Sequence, residues 1–243
     1  MKKLLISGGN GKLAKQVVLH NNCYEILAPS KEEMDITDID SVESFVRIHR
    51  PDIFLHAAAY TRPMSKHQEN PQLSLQINII GTANVVLACI EHKIKLAYIS
   101  TDYVYPGTTG NYKETDALMP YYGNNDGITK YGWSKLGGEA CVKLHDNSLI
   151  LRLCMSNKPF PHPKAATDIR KSYIYEDDAA KIILKLLNES GIINVGGASA
   201  SAYEFALNEN PDVKQIKASE IKDVKIAPNT TMDISKMKKI LRK

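Results

Sequence analysis

Cysteine is sparse in this 243-residue chain, and the four present stand far apart at Cys23, Cys89, Cys141 and Cys154. No C-x-x-C pair occurs, and the seven histidines are scattered. That excludes a disulfide framework and gives no reason to expect a metal site, so each thiol is read as a small buried hydrophobe in a reducing compartment. Long apolar runs are also missing: none approaches the ~20 residues of a membrane span. The N-terminal Leu4-Leu5-Ile6-Ser7 stretch is shorter than the ~7–15 apolar residues of a signal peptide, so it is read as a first strand and the protein is expected in the cytoplasm. Charge of one sign is not in excess, with 31 basic against 27 acidic residues and a formal net charge of +4. The final run Lys236–Lys243 holds five of the cations, and the nearly neutral body argues against nucleic acid. A basic last helical turn, facing the negative end of the helix dipole, accounts for that run. Aromatic residues make up 7% of the chain and hydrophobic residues 43%. This is ordinary for a globular protein that buries roughly three quarters of its unfolded surface without staples.

The first 155 residues alternate between short apolar runs and longer amphipathic ones. Lys3–Ser7, Tyr24–Ala28, Ile53–Ala58, Leu96–Ser100 and Ser148–Leu153 read as strands buried on both faces. Lys12–Asn21, Ser41–Arg50, Pro71–Lys93 and Ile128–His145 read as helices, the third opened by Asn70 as cap and Pro71 at the first position. Such alternation predicts an α/β fold with a doubly wound, right-handed parallel sheet of the Rossmann type over residues 1–155. Residues 156–243 are less regular. They predict a proline-bearing loop over 157–166, a strand near Ser172–Tyr175, a helix over Asp177–Glu189 and a strand at Ile192–Val195. A capping box at Ser201–Glu204 starts a short helix, and Ile234–Leu241 forms a last one. These pieces are too few for their own core and are expected to pack beside the sheet as a small substrate lobe, partly rejoining it. No internal repeat is present.

Gly8-Gly9-Asn10-Gly11-Lys12-Leu13-Ala14 stands between the first strand and the first helix. Glycines there let the backbone turn tightly and approach a pyrophosphate, for which a helix N-terminus offers free N–H groups. Tyr131-Gly132-Trp133-Ser134-Lys135 places a tyrosine and a lysine four residues apart, on one helical face. Chance alone supplies about one such pair in a chain with this many tyrosines and lysines. Its weight comes from context: the glycine loop, and Ser100-Thr101 at the carboxyl end of the fourth strand, where ligands of such sheets bind.

In this order the chain resembles the extended short-chain dehydrogenase/reductases, most closely their dTDP-4-dehydrorhamnose reductase group. The likeness runs through the glycine loop, Met34–Asp38, Pro51–Thr61, Asn78, Ser100–Tyr105 and Tyr131–Glu139, and more thinly through Ser172–Asp178, Asn194–Gly197 and Met232–Lys236. It implies a reductase, or epimerase/reductase, acting on a keto group of a nucleotide-linked sugar. The same resemblance leaves a second reading, a catalytically silent NADP-binding regulatory subunit.

The resemblance also implies roles. Tyr131 would be the general acid, Lys135 would stabilise its anion, and Thr101 would hold the substrate carbonyl. The cofactor would be bordered by Gly8, Asn10, Gly11, Lys12, Leu13, Ser30, Lys31, Asp35, Ile36, Ala57, Ala58, Ala59, Tyr60, Asn78 and Ser100, together with Tyr131 and Lys135. Ser30 and Lys31, standing where NAD enzymes carry an acid, favour NADP over NAD, against which Glu32 and Glu33 weigh. Asp102, Tyr103, Arg152 and Arg170 would join Thr101 at the nucleotide sugar, Arg170 at its diphosphate. A homodimer is left open. The chain departs from the pattern at Ala14, in an extra piece at Tyr121–Asp126, at Cys154-Met155 after Arg152, and in having only 17 residues between Arg152 and Arg170.

Overall fold

Alternate residues of the central strands feed two separate apolar layers, and this decides the architecture. The computed structural model describes residues 1–121, 129–222 and 226–242. In β1 (Lys2–Ser7), Leu4 and Ile6 join one cluster and Leu5 joins the other, all at 0% exposure. In β3 (Ile53–His56), Ile53 and Leu55 divide from Phe54 in the same way. Period-two alternation with both faces apolar is what a parallel sheet covered on both sides requires.

The sheet runs β2 (Tyr24–Leu27), β1, β3, β4 (Lys95–Thr101), β5 (Ser148–Ser156), every pairing parallel. From β1 the chain steps one way to β2 and then the other way to β3. The direction reverses between β1 and β3, and a crevice opens at their carboxyl ends. The expected strands sit within two residues of their places, except that β5 continues three residues further. The added length is used. Leu149–Leu153 pairs with β9 (Gly191–Val195), and Cys154–Ser156 pairs with β8 (Tyr173–Tyr175). The expected lobe therefore supplies two strands of the main sheet.

α1 (Lys12–His20) and α2 (Ile39–His49) follow β1 and β2. α2 starts two residues before its expected position because the Asp38 carboxylate caps the Asp40 N–H. α3 (Met64–Glu69) was not expected. α4 (Pro71–Leu75), a π-helical turn (Gln76–Ile80) and α5 (Gly81–Glu91) form one helix, at whose start the Asn70 side chain makes no cap. Pro71–Glu91 is 21 residues long and holds an 18-residue stretch of mean hydropathy 1.8, so by length and composition it could cross a membrane, which corrects the impression from uninterrupted runs. In the fold this helix packs against α2 and α6 (Thr129–Val142). Asn78 and Thr82 within it are buried and hydrogen-bonded.

Beyond β5, the proline-bearing loop ends in β6 (Lys164–Ala166), which pairs with β11 (Lys214–Ile216). β7 (Arg170–Lys171) pairs with β10 (Ala200–Ser201). α7 (Glu176–Leu186) is three residues shorter at its end than expected and packs on α1. α8 (Ala202–Leu207) carries the expected capping box, and α9 (Ser235–Leu241) follows. Of the extra piece read at Tyr121–Asp126, only Tyr121 lies among the described residues. Cys89 and Cys154 are buried as expected and Cys141 is half-buried, but Cys23 is exposed.

Candidate active site

The glycine loop turns where β1 ends. Gly8 takes a φ of +73°, and the Gly11 N–H closes the turn on the Gly8 carbonyl at 2.8 Å. A Cβ on Gly9 would stand 2.2 Å from the Ala28 carbonyl oxygen, so only glycine lets the loop lie against the end of β2. α1 begins without a side-chain cap, which leaves its first N–H groups without a side-chain acceptor. Uncapped N–H groups beside close-approaching glycines suit a pyrophosphate. Asn10, Gly11 and Lys12 are exposed there, whereas Leu13 turns into the core at 8% exposure.

Past β2, the Ser30 and Lys31 pair faces carboxylates. The Ser30 N–H donates to Glu33 at 2.7 Å, and the Lys31 ammonium lies 3.5 Å from Asp35. Asp35 is partly buried, which would raise its carboxyl. The Thr37 N–H and hydroxyl, with Lys31, outweigh this and hold it below its ordinary value. The Ile36 side chain is buried.

Ala57, Ala58, Ala59 and Tyr60 continue from β3, half-buried. Asn78, at 1% exposure in the π turn, clasps this segment: its Oδ1 accepts the Tyr60 N–H at 2.8 Å and its Nδ2 donates to the Tyr60 carbonyl at 2.9 Å. Nδ2 also donates to Ser134 Oγ at 2.9 Å, and Ser134 donates to the Tyr131 carbonyl at 2.8 Å. The amide is used up inside the protein, so Asn78 joins the crevice to α6 rather than facing a ligand. Below it, buried His56 stands between Ser7 and Thr82. Thr82 donates to the Asn78 carbonyl, so it accepts from Nε2–H, and Nδ1 accepts from Ser7. The ring is neutral, its pKa drawn down to about 3 by burial and then by Lys135.

Thr101, Tyr131 and Lys135 come together at the end of β4 and along α6, at 5%, 7% and 2% exposure. Burial raises the Tyr131 phenol. A hydrogen bond with Thr101 opposes this, Asp102 and Tyr103 add to it, and Arg62 opposes it. Lys135 lies over the Tyr98 ring, 4.1 Å from its centroid, and burial pulls it down to about 7 against the pull of Glu139. α6 can approach Tyr98 this closely because Gly138 leaves room: a Cβ there would be 2.3 Å from the Tyr98 hydroxyl.

Four expected ligand residues are engaged internally. Ser100 donates to Glu139 Oε1 at 2.5 Å. Arg152, at 0% exposure, grips both oxygens of Glu139 (3.0 and 2.7 Å) and donates to Tyr105 Oη at 2.9 Å, so it is a buried ion pair and does not reach a substrate. Asp102, at 1% exposure, binds Lys171 at 2.8 Å. Arg170 is half-exposed but held by Ser199 and, at 3.4 Å, by Glu204. Tyr103 is half-buried, edge-on to Tyr131.

The sequence reading left several residues here unassigned. Glu139 could have been found, since it lies one turn beyond Lys135 on the same face. Arg62, His56, Lys171 and His67 carry no local signal; the His67 ring lies 5.0 Å from that of Tyr131.

A parallel sheet with a glycine loop at its switch point and a Thr–Tyr–Lys cluster across the crevice defines a Rossmann-type chain of the extended short-chain dehydrogenase/reductase class. A family model described as the RmlD substrate binding domain matches residues 1–155, and the chain belongs to that family. A dTDP-4-dehydrorhamnose reductase of Aggregatibacter actinomycetemcomitans is 34% identical over 157 residues, covering 63% of this chain and 51% of that protein. The spore coat polysaccharide biosynthesis protein SpsK of Bacillus subtilis is 30% identical over 230 residues, covering 85% and 77%. The crystal structure of a dTDP-4-dehydrorhamnose reductase from Bacillus anthracis in complex with NADP is 30% identical with a TM-score of 0.84, covering 98% of this chain and 91% of that one. The chain spans about half the length of several curated relatives it matches.

Proposed function

We propose that this chain is an NAD(P)-dependent reductase of a keto group on a nucleotide-linked deoxysugar, as in dTDP-rhamnose-type sugar synthesis. The observation that carries the reading is the buried cluster of Thr101, Tyr131 and Lys135 opposite the glycine loop. The loop backbone from Gly8 to Lys12 would hold the dinucleotide's phosphates, Asp35 would lie on its adenosine side, and Ala57–Ala59 would offer a flat wall. A bound reduced nicotinamide supplies the hydride. Tyr131 gives its proton to the carbonyl oxygen of the substrate. Its raised pKa keeps it protonated as the donor at neutral pH. Lys135, poised near pH 7, carries part of its charge there and steadies the anion left on Tyr131.

NADP is the favoured dinucleotide. Ser30 and Lys31 stand at the end of β2, and the half-exposed Lys31–Asp35 contact is of the surface kind worth about 0–1 kcal/mol, so it yields to a 2′-phosphate. Free thiols suit a cytoplasmic setting.

The test is Tyr131→Phe, which keeps the ring and removes the hydroxyl. Single-turnover oxidation of NADPH with a nucleotide 4-keto-sugar is expected to fall about 10²–10⁴-fold while the melting shift produced by NADPH persists. Undiminished turnover would overturn the mechanism. Equal melting shifts with NADH and NADPH would remove the preference for NADP. A wild type that never oxidises NADPH across a panel of such sugars would leave the regulatory reading.

A further inference from the structure

A charged pair lies sealed beneath the reaction centre, and one of its partners comes from the far part of the chain. Asp102 follows Thr101 at the end of β4; Lys171 lies in β7. Their side chains are 1% and 4% exposed and 2.8 Å apart. The same carboxylate oxygen, Oδ2, also accepts from the hydroxyl of Thr230, which is fully buried. The Lys171 ammonium caps the Tyr103 ring, 3.6 Å from its centroid, and Tyr103 in turn meets Tyr131 edge-on with ring centroids 5.9 Å apart. Burial pulls Lys171 down, but Asp102 more than reverses it and the lysine stays charged.

The other carboxylate oxygen, Oδ1, accepts from Thr101 Oγ1 at 3.1 Å. A threonine hydroxyl has one proton to give. With that proton on Asp102, the Thr101 oxygen can only accept. It takes the Tyr103 N–H at 3.3 Å, and one lone pair is left for the phenol of Tyr131, whose ring stands edge-on to that of Tyr103. Building on the reductase reading of this site, we propose that Lys171 is a positioning residue: by neutralising Asp102 it fixes the Thr101 hydroxyl toward Asp102 and aims the Thr101 oxygen at the Tyr131 proton. When Tyr131 gives its proton away, the phenolate becomes the better acceptor. The Thr101 proton then turns to it, and Lys171 and Thr230 keep Asp102 satisfied meanwhile. The pair thus lets one hydroxyl serve both states of the acid without stranding a buried charge.

The experiment compares Lys171→Met and Lys171→Arg with wild type. Two readouts are used: kcat and KM for NADPH oxidation, and the ¹³Cζ resonance of Tyr131 in tyrosine-labelled protein, assigned by its loss in Tyr131→Phe. Lys171→Met is expected to lower kcat at least about tenfold with the KM for NADPH unchanged, and to move the Tyr131 resonance; Lys171→Arg restores both. A folded Lys171→Met with unchanged kcat and resonance overturns the proposal. Should Lys171→Met fail to fold, two charge-free doubles decide. Asp102→Asn with Lys171→Met keeps an oxygen for Thr101, whereas Asp102→Leu with Lys171→Met does not. The first is expected to hold the wild-type resonance and the second to lose it; indistinguishable doubles overturn the proposal. Because the resonance needs no substrate, a wild type without turnover would count against the reductase reading alone.

Discussion

Lys135 is the residue whose chemistry and stability pull hardest against each other. An ordinary lysine titrates near 10.4, whereas burial holds this one at about 7 in the folded protein. Between about pH 7 and 10.4 the unfolded chain therefore binds a proton that the folded chain lacks, so stability rises with pH across that window. Below pH 7 both states are protonated and the whole cost of burying the charge remains. Lys135→Met has no such cost. Without cofactor it is expected to melt above wild type, by several degrees at pH 6, with the gap closing as pH rises toward 10. Melting curves at four or five pH values check this, and a gap that stays constant with pH would show that burial of the charge is not its cause. Residue type and spacing made Tyr131, Lys135, Thr101 and the glycine loop legible in advance. Ser100, Asp102 and Arg152 were misassigned to ligands because a sequence displays a polar group but not its partner. Those partners, Glu139 and Lys171, lie 13 to 69 positions away along the chain.

At the scale of elements, α6 is fastened to the sheet by one carboxylate. Glu139 takes the hydroxyl of Ser100 on β4 and the guanidinium of Arg152 on β5, all fully or nearly buried. Removing one partner of such a pair strands a charge, which costs about 3–5 kcal/mol, whereas replacing both by apolar groups is often neutral. Glu139→Gln is expected to lose stability of that order in urea denaturation, and Glu139→Leu with Arg152→Met to recover most of it. A single variant losing less than about 1 kcal/mol would mean that Arg152 finds another partner. The elements found in advance were those with a period or a run of apolar and aromatic strand formers to show: seven strands and most helices. α3 was missed because Met-Ser-Lys-His-Gln-Glu has no apolar repeat, and β6, β7, β10 and β11 are two or three residues each, too short for alternation to register.

For the whole molecule, the matched family segment ends near residue 155 while the physical unit does not. β5 would lose both partners on its outer side if the chain stopped there, baring the backbone groups that β9 and β8 pair. The larger apolar cluster would lose Ile183, Leu186, Leu187, Ile193 and Val195, all at 0% exposure, together with Met232 and Met237. Full burial of each such side chain is worth about 1.5–3 kcal/mol, so these seven together contribute about 10–20 kcal/mol, as much as the whole ~5–15 kcal/mol by which a protein of this kind is stable. The Lys171 and Thr230 side chains that hold Asp102 would go as well. A chain cut after residue 155 is therefore expected to lack a cooperative melt and to give no melting shift with NADPH, although it retains the glycine loop and every residue of the Thr101, Tyr131 and Lys135 cluster. Calorimetry of residues 1–155 beside the full chain decides it: a sharp transition that NADPH moves upward would mean that the dinucleotide half folds alone, and that the later strands are an addition to it.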